Sequence, residues 1–488
     1  MLGWSMSSHV ELNRCAPPLP DLVTYSAHRA LYRRKPVRSA SVLQPPEAHG
    51  STGLARLIER RATEAVIWGM PIVGFDAMRQ AFFRDAAAAY GDILYWSKPA
   101  DWKLQFAIPD TLSCNVYFNF NTRQGPVVVD LPPSNGAALA GSLVNAWETS
   151  LVEIGPVGSD RGRGCKLLLL PPGYKGLVPS GYIPIRSETY NGRALLSATT
   201  PARSMDTAVA LSLVQKIRTY PLAQAFAHTS QRFIDMSGRL FDAVVRFDDS
   251  FFDSLARMVC EEPVQTRDLV AMSQIYSLGI DKDRAFKPDG TTRELLRQAA
   301  ADVHAALGST ANGGERLSPT THWIRSAVAR SRTSFTYETA TRFGIDERNV
   351  RFFMAFDTPQ KPQTAPPYLC AFCDADGERL SGERLYKLRI PAGVPARQGW
   401  ELSAYDSATA CFIREAPSVA IDSHLAETSK NPDGSVDVYF GPIRPSGVEG
   451  RWIYTEPGKA WFALFRLHQP ERAFFEKTWL LPNLESLG

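Results

Sequence analysis

Hydrophobic positions along the chain change their period three times. From Ser51, Leu54, Leu57, Ile58, Ala62 and Ala65 recur at three- and four-residue steps, the spacing of one helix face. Pro71 lacks the N–H that a helix interior uses, so the spacing predicts a break there and a second helix over 74–88. From about Asp92 the period falls to two. In 115–121, Val116, Phe118 and Phe120 point one way and Asn115, Tyr117, Asn119 and Asn121 the other. Short apolar runs at 126–131, 143–147, 166–170, 183–186 and 194–199 follow, separated by Gly, Pro and Ser. The helical period returns over 205–345. Phe251, Leu255, Met258 and Val259 form one stripe, and Leu295, Leu296, Ala299, Val303 and Leu307 another. Thr291 and Glu294 read as a capping box and Gly308 as a C-cap. From Arg351 the strand period resumes, with strands expected at 385–390, 401–405, 436–440 and 460–468. Asp376-Gly377 and Asp433-Gly434 are hairpin signals.

This order predicts an α+β, mainly β fold: two antiparallel β-sandwich domains bridged by a helical segment. The expected divisions are an N-terminal arm over 1–50, a helix plus first sandwich over 51–204, a helical bridge over 205–345 and a second sandwich over 346–488. The proline-rich composition of 1–50 is what marks it as an arm.

Charge narrows the partners. The net charge is +4, and residues 1–50 hold six basic and three acidic side chains, leaving about +1 for the rest. No concentrated basic face is visible outside the N-terminus, so no nucleic-acid partner is expected. No apolar run approaches the length of a membrane span. Glu11, Arg14 and Asp21 interrupt the first 25 residues, so no Sec signal is expected and a cytoplasmic location is the default. The seven cysteines are scattered at 15, 114, 165, 260, 370, 373 and 411, which suits buried thiols better than a disulfide framework.

Particular residues carry a resemblance. Asp374-Ala-Asp-Gly377, Trp400 with Tyr405-Asp406, Asp433-Gly434-Ser435, Trp452 with Pro457-Gly458, Phe462 with Arg466, and Trp479 with Pro482 resemble the domain of unknown function 1214. Trp68-Gly-Met-Pro71, Pro109-Asp-Thr-Leu112, Gly125-Pro-Val-Val128 and Pro171-Pro-Gly-Tyr-Lys-Gly176 resemble its usual partner, the domain of unknown function 1254. The resemblance implies two sandwiches of jelly-roll character joined by helices. It also implies a family that is often exported.

The candidate chemistry lies mostly in the first β region. Asn115, Tyr117, Asn119 and Asn121 offer amide and phenol groups on one strand face, and Asn145, Trp147 and Glu148 are expected on a neighbouring strand. Together they suggest a cleft for a polyhydroxyl or amide ligand, set against a solvated outer face. Arg161 and Arg163, on a glycine-rich loop, could grip a carboxylate or phosphate. Asp110, Glu148 and His468 are the candidate acid–base groups. Cys370 and Cys373 lack a second pair for zinc, and Asp374-Ala-Asp-Gly377 has the wrong spacing for a calcium loop. No metal and no cofactor are expected. The pattern suggests a hydrolase or lyase acting on a polar, polyhydroxylated or anionic small molecule. The alternatives are non-catalytic binding of a small ligand, or a structural role as a homo-oligomer.

Overall fold

The computed structural model describes residues 51–200, 208–227, 230–310, 315–325, 337–354, 368–427 and 430–488. The expected N-terminal arm lies outside the described residues. The class is α+β and mainly β. A six-stranded sheet in the first half runs, in spatial order, Phe233–Asp235, Ile93–Tyr95, Cys114–Asn121, Asn191–Thr199, Ala138–Asn145, Ser150–Ile154. Beside it lies a four-stranded sheet ordered Arg218–Pro221, Val127–Leu131, Cys165–Leu170, Ile183–Arg186. Val116, Phe118 and Phe120 from the first sheet share one core with Val129, Leu167 and Leu169 from the second.

The second half repeats the plan. Tyr368–Ala371, Trp461–Leu467 and Trp400–Asp406 are neighbours in a six-stranded sheet, and Val436–Gly441 and Tyr386–Ile390 pair in a four-stranded one. The sheets are not purely antiparallel as expected. Ile93–Tyr95 with Phe233–Asp235, Leu104–Gln105 with Phe241–Asp242, Cys165–Leu170 with Ile183–Arg186, and Val436–Gly441 with Trp452–Tyr454 run parallel. Two of these pairs recruit segments from 205–345, which was expected to be mainly helical.

One helix, Ser51–Arg84, organises the rest. It passes through Pro71 without breaking, against expectation. The proline removes one ladder hydrogen bond, at a cost of roughly 3 kcal/mol. Residues around it are buried almost on every side, and that packing offsets the loss. Ala62 to Phe75 sit in a core with Phe251, Leu255, Leu296 and Val303. Met78 to Ala88 belong to the core that continues into the second half. Gly69 sets the helix spacing: a Cβ there would meet a methyl of Leu255 at 2.9 Å.

Two cap expectations are corrected. Helix Gly290–Thr310 is started by Asp289, whose carboxylate accepts the Thr292 N–H at 2.7 Å, and not by Thr291. Gly308 lies inside that helix instead of ending it. The Asp-Gly turns form as the sequence suggests, with Gly377 and Gly434 at φ +83° and +79°.

Candidate functional site

Strand Cys114–Asn121 is buried along nearly its whole length on both faces. Its polar face is not open to solvent. The long helix covers it, and the Tyr117 ring packs edge-on against Phe82 and Phe241 at 5.9 and 5.6 Å. Tyr117 donates its hydroxyl proton to Asn119 Oδ1 at 3.1 Å, and burial pushes its pKa up. The Nδ2 atoms of Asn115 and Asn119 are buried without a hydrogen-bond partner.

The expected neighbouring strand is different. Strand Asn191–Thr199 lies between Cys114–Asn121 and Ala138–Asn145. The latter ends at Asn145, so Trp147 and Glu148 sit in a turn. The physical reason is Asn145 itself, whose Oδ1 accepts the N–H of Trp147 at 2.9 Å and of Thr149 at 3.0 Å. Glu148 takes a left-handed φ of 57°. That turn aims Glu148 inward, where Arg193 donates Nε to Oε1 at 3.0 Å and Nη2 to Oε2 at 2.5 Å. Arg193 is the cross-strand partner of Asn119.

Further along the same strand pair, Asn191 gathers a polar network. Its Oδ1 accepts from Asn121 Nδ2 and from the Tyr90 hydroxyl, both at 2.7 Å. Its Nδ2 reaches Glu261 Oε2 at 2.9 Å and Glu262 Oε1 at 2.6 Å. Arg79 of the long helix donates to Glu261 at 2.5 Å and to Asp76 at 2.8 Å. Arg257 closes the other side of Asp76. Burial raises the Glu262 pKa, although the amides of Tyr190 and Asn191 pull the other way.

Glu262 also lines a narrow pocket, about 20 Å³ in volume, with Trp68, Trp147, Gln265, Asp268 and Met272. The two indole rings meet at 4.9 Å, tilted 55°. Trp68 Nε1 donates to Asp268 Oδ1 at 3.0 Å. Behind Trp147, the Arg348 guanidinium lies 5.3 Å from that ring and donates to the Trp68 carbonyl at 2.6 Å. Burial lowers its pKa to about 10. A second pocket is lined by Met70, Phe247, Phe353 and Cys411. Neither pocket is lined by the 115–121 stripe.

The other candidates lie elsewhere. Asp110 accepts from Ser113 N and Oγ at 3.0 and 3.2 Å, in a loop pressed into the second half. There Thr111 donates twice to Glu401 at 3.0 Å, Arg466 meets Glu401 at 3.3 Å, and the Tyr405 hydroxyl reaches the Pro109 carbonyl at 2.6 Å. His468 is buried just past strand Trp461–Leu467, its N–H on the Gly399 carbonyl at 3.0 Å. Arg161 and Arg163 are exposed on a loop tied by Asp160, whose carboxylate accepts the Gly155 and Gly164 amides. The structure therefore brings together Tyr117, Asn119 and Glu148 around Arg193, puts Asn121 in the Asn191 network, and puts Trp147 in the pocket. Asp110, His468 and the two arginines stand apart from that group.

Cys370 is buried and Cys373 half-buried, and burial raises both thiol pKa values, Cys370 to about 12. Among the described residues no group of His, Cys, Asp or Glu is arranged to hold a metal ion. Glu262 and Asp268 were missed from sequence, yet a signal existed. Glu261-Glu262-Pro263 places two carboxylates at the C-terminal end of helix Ser250–Glu261, where the helix dipole disfavours negative charge. Such local rule-breaking marks functional or strained positions.

Residues 98–221 match the family described as protein of unknown function (DUF1254), and residues 366–472 match protein of unknown function (DUF1214). The order is that of the two-domain arrangement. The crystal structure of the VPA0106 protein from Vibrio parahaemolyticus is similar in fold, with a TM-score of 0.50 at 13% identity over 88% of this chain and 100% of that one. An uncharacterised protein from Burkholderia cenocepacia aligns over 89% of this chain and 95% of its own, with 10% identity and a TM-score of 0.36. No curated protein matches the chain.

Proposed function

We propose that this chain, a DUF1254 region followed by a DUF1214 region, is a hydrolase or lyase that acts on a small polar molecule in the Trp68–Trp147 pocket. The observation that carries the reading is Glu262. A carboxyl group whose pKa is raised by burial lines a largely apolar pocket beside a second carboxylate, Asp268. A carboxyl group perturbed by burial and facing a cleft is a candidate for acid–base work.

In this reading Glu262 holds the proton that is delivered to the substrate, because its surroundings penalise the charged form. The indole faces of Trp68 and Trp147 bind the apolar part of the substrate, and Gln265 and Asp268 orient its polar part. Asn191 fixes the Glu262 carboxyl and links it to Glu261, which Arg79 grips. Glu148 and Arg193 support the turn that presents Trp147.

A second reading, binding without turnover in the same pocket, is favoured by one observation. Both Glu262 oxygens already accept hydrogen bonds, from Tyr190 N at 2.6 Å and Asn191 N at 2.9 Å. The experiment titrates the protein with small carboxylic acids, amides and sugars, following tryptophan emission and product formation together. Glu262→Gln should keep binding and lower turnover about a hundredfold or more. Unchanged turnover in that variant would overturn the assignment of Glu262. Binding with no product in the parent protein would select the second reading.

A further inference from the structure

The connection 171–182 runs back over the outer face of the four-stranded sheet, from the end of strand Cys165–Leu170 to the start of its parallel neighbour Ile183–Arg186. Tyr174 and Tyr182 pack there on Leu168 and Leu170, together with Tyr220 from the opposite edge strand. The middle of the connection turns outward. Leu177 is 91% exposed and Ile183 49% exposed, with Val178 between them in the same stretch and also exposed. Tyr174 folds back against Gly176 and donates to the Leu177 carbonyl at 3.3 Å, so the tip is held in shape. Phe226, beyond the edge strand that carries Tyr220, is fully exposed as well.

The charge around this apolar tip is mostly positive; the next acidic residue along the chain, Glu188, is exposed and paired with Arg267 at 3.0 Å. Residues 165–187 and 208–227 contain Lys166, Lys175, Arg186, Lys216 and Arg218 and no acidic residue. The one acidic side chain within the four strands is Asp130, which pairs with Lys166 at 3.3 Å. Lys175 and Arg186 flank the tip and are exposed. Exposed apolar side chains held at a loop tip, tyrosines just behind them, and basic residues around them form a surface suited to an anionic bilayer. The apolar groups enter the headgroup boundary, the tyrosines lie at the interface, and the cations face the lipid phosphates.

We propose that the 174–183 tip docks this chain on the surface of an anionic lipid bilayer without spanning it. No helix among the described residues is long and apolar enough to cross a membrane. The proposal does not depend on the pocket reading.

The test is co-sedimentation of the full chain with phosphatidylcholine vesicles and with vesicles that also contain phosphatidylglycerol. Binding is expected to the anionic vesicles, to weaken with added salt, and to be much lower on phosphatidylcholine alone. Leu177→Asp should weaken it about tenfold or more, the effect of keeping one leucine out of an apolar phase. Lys175→Glu should weaken it about thirtyfold. Both sites are exposed, and light scattering and circular dichroism check that each variant is folded. No binding by the parent chain would overturn the proposal. So would vesicle binding that Leu177→Asp leaves intact. If Leu177→Asp instead lowers the molecular mass in light scattering with no effect on vesicles, the tip is a contact between copies, and the bilayer reading is wrong.

Discussion

Arg193 and Glu148 form a two-point ion pair inside the first half of the protein, with side-chain exposures of 1% and 0%. Arg193 comes from the middle of a sheet and Glu148 from the turn that ends the adjacent strand. Each charge is removed from water, and each depends on the other for compensation. Glu148→Ala would leave a buried guanidinium without its main partner, and should cost about 3–5 kcal/mol in urea unfolding. Replacing both residues by leucine or methionine should recover a large part of that loss. A single-variant cost below about 1 kcal/mol would show that water reaches the pair.

The loop 108–113 joins the two halves through several hydrogen bonds. Tyr405→Phe removes the hydroxyl that donates to the Pro109 carbonyl at 2.6 Å and leaves the ring packing intact. The expected cost is about 1–2 kcal/mol, because the buried carbonyl loses its partner. Thr111→Val should add a similar loss, since it removes one of the two Thr111 donors to Glu401 Oε2. Hydrogen exchange at Thr111 and Ser113 should rise in both variants. Unchanged exchange there would mean that the loop is held by other contacts.

Glu262 makes stability depend on pH. Its folded pKa lies above the ordinary value of 4.5, so the folded protein keeps this proton to higher pH than the unfolded chain does. The stabilisation from that proton is full below about 4.5 and is lost as pH rises through the folded value. Glu262→Gln cannot titrate, so its stability relative to the parent should increase with pH across that window. Under the proposed function, turnover should fall over the same range. A stability difference between parent and variant that is flat with pH would place the titration elsewhere.

Much of the fold could be read from local pattern, because period and turn chemistry are properties of short segments. Val116, Phe118 and Phe120 declared a core face, and Asp376-Gly377 and Asp433-Gly434 declared turns. What local pattern could not show was what lies on the other side. Asn115, Tyr117 and Asn119 read as a ligand cleft or a solvated face, yet the helix that ends at Arg84 covers them. Pro71 read as a helix end, yet burial around it outweighs one missing hydrogen bond. Trp147 read as part of a strand, until Asn145 turned the chain two residues sooner.

The sequence alone determined the class, the order of β and helical stretches, and the two family regions. Each depends on spacing within a few residues or on short motifs. Only the tertiary structure decided where polar groups meet. Glu262 and Trp68 are almost two hundred residues apart, and nothing local to either one says that they line one pocket. Burial raises the carboxyl pKa, and burial is a property of the packed chain, not of any segment of it.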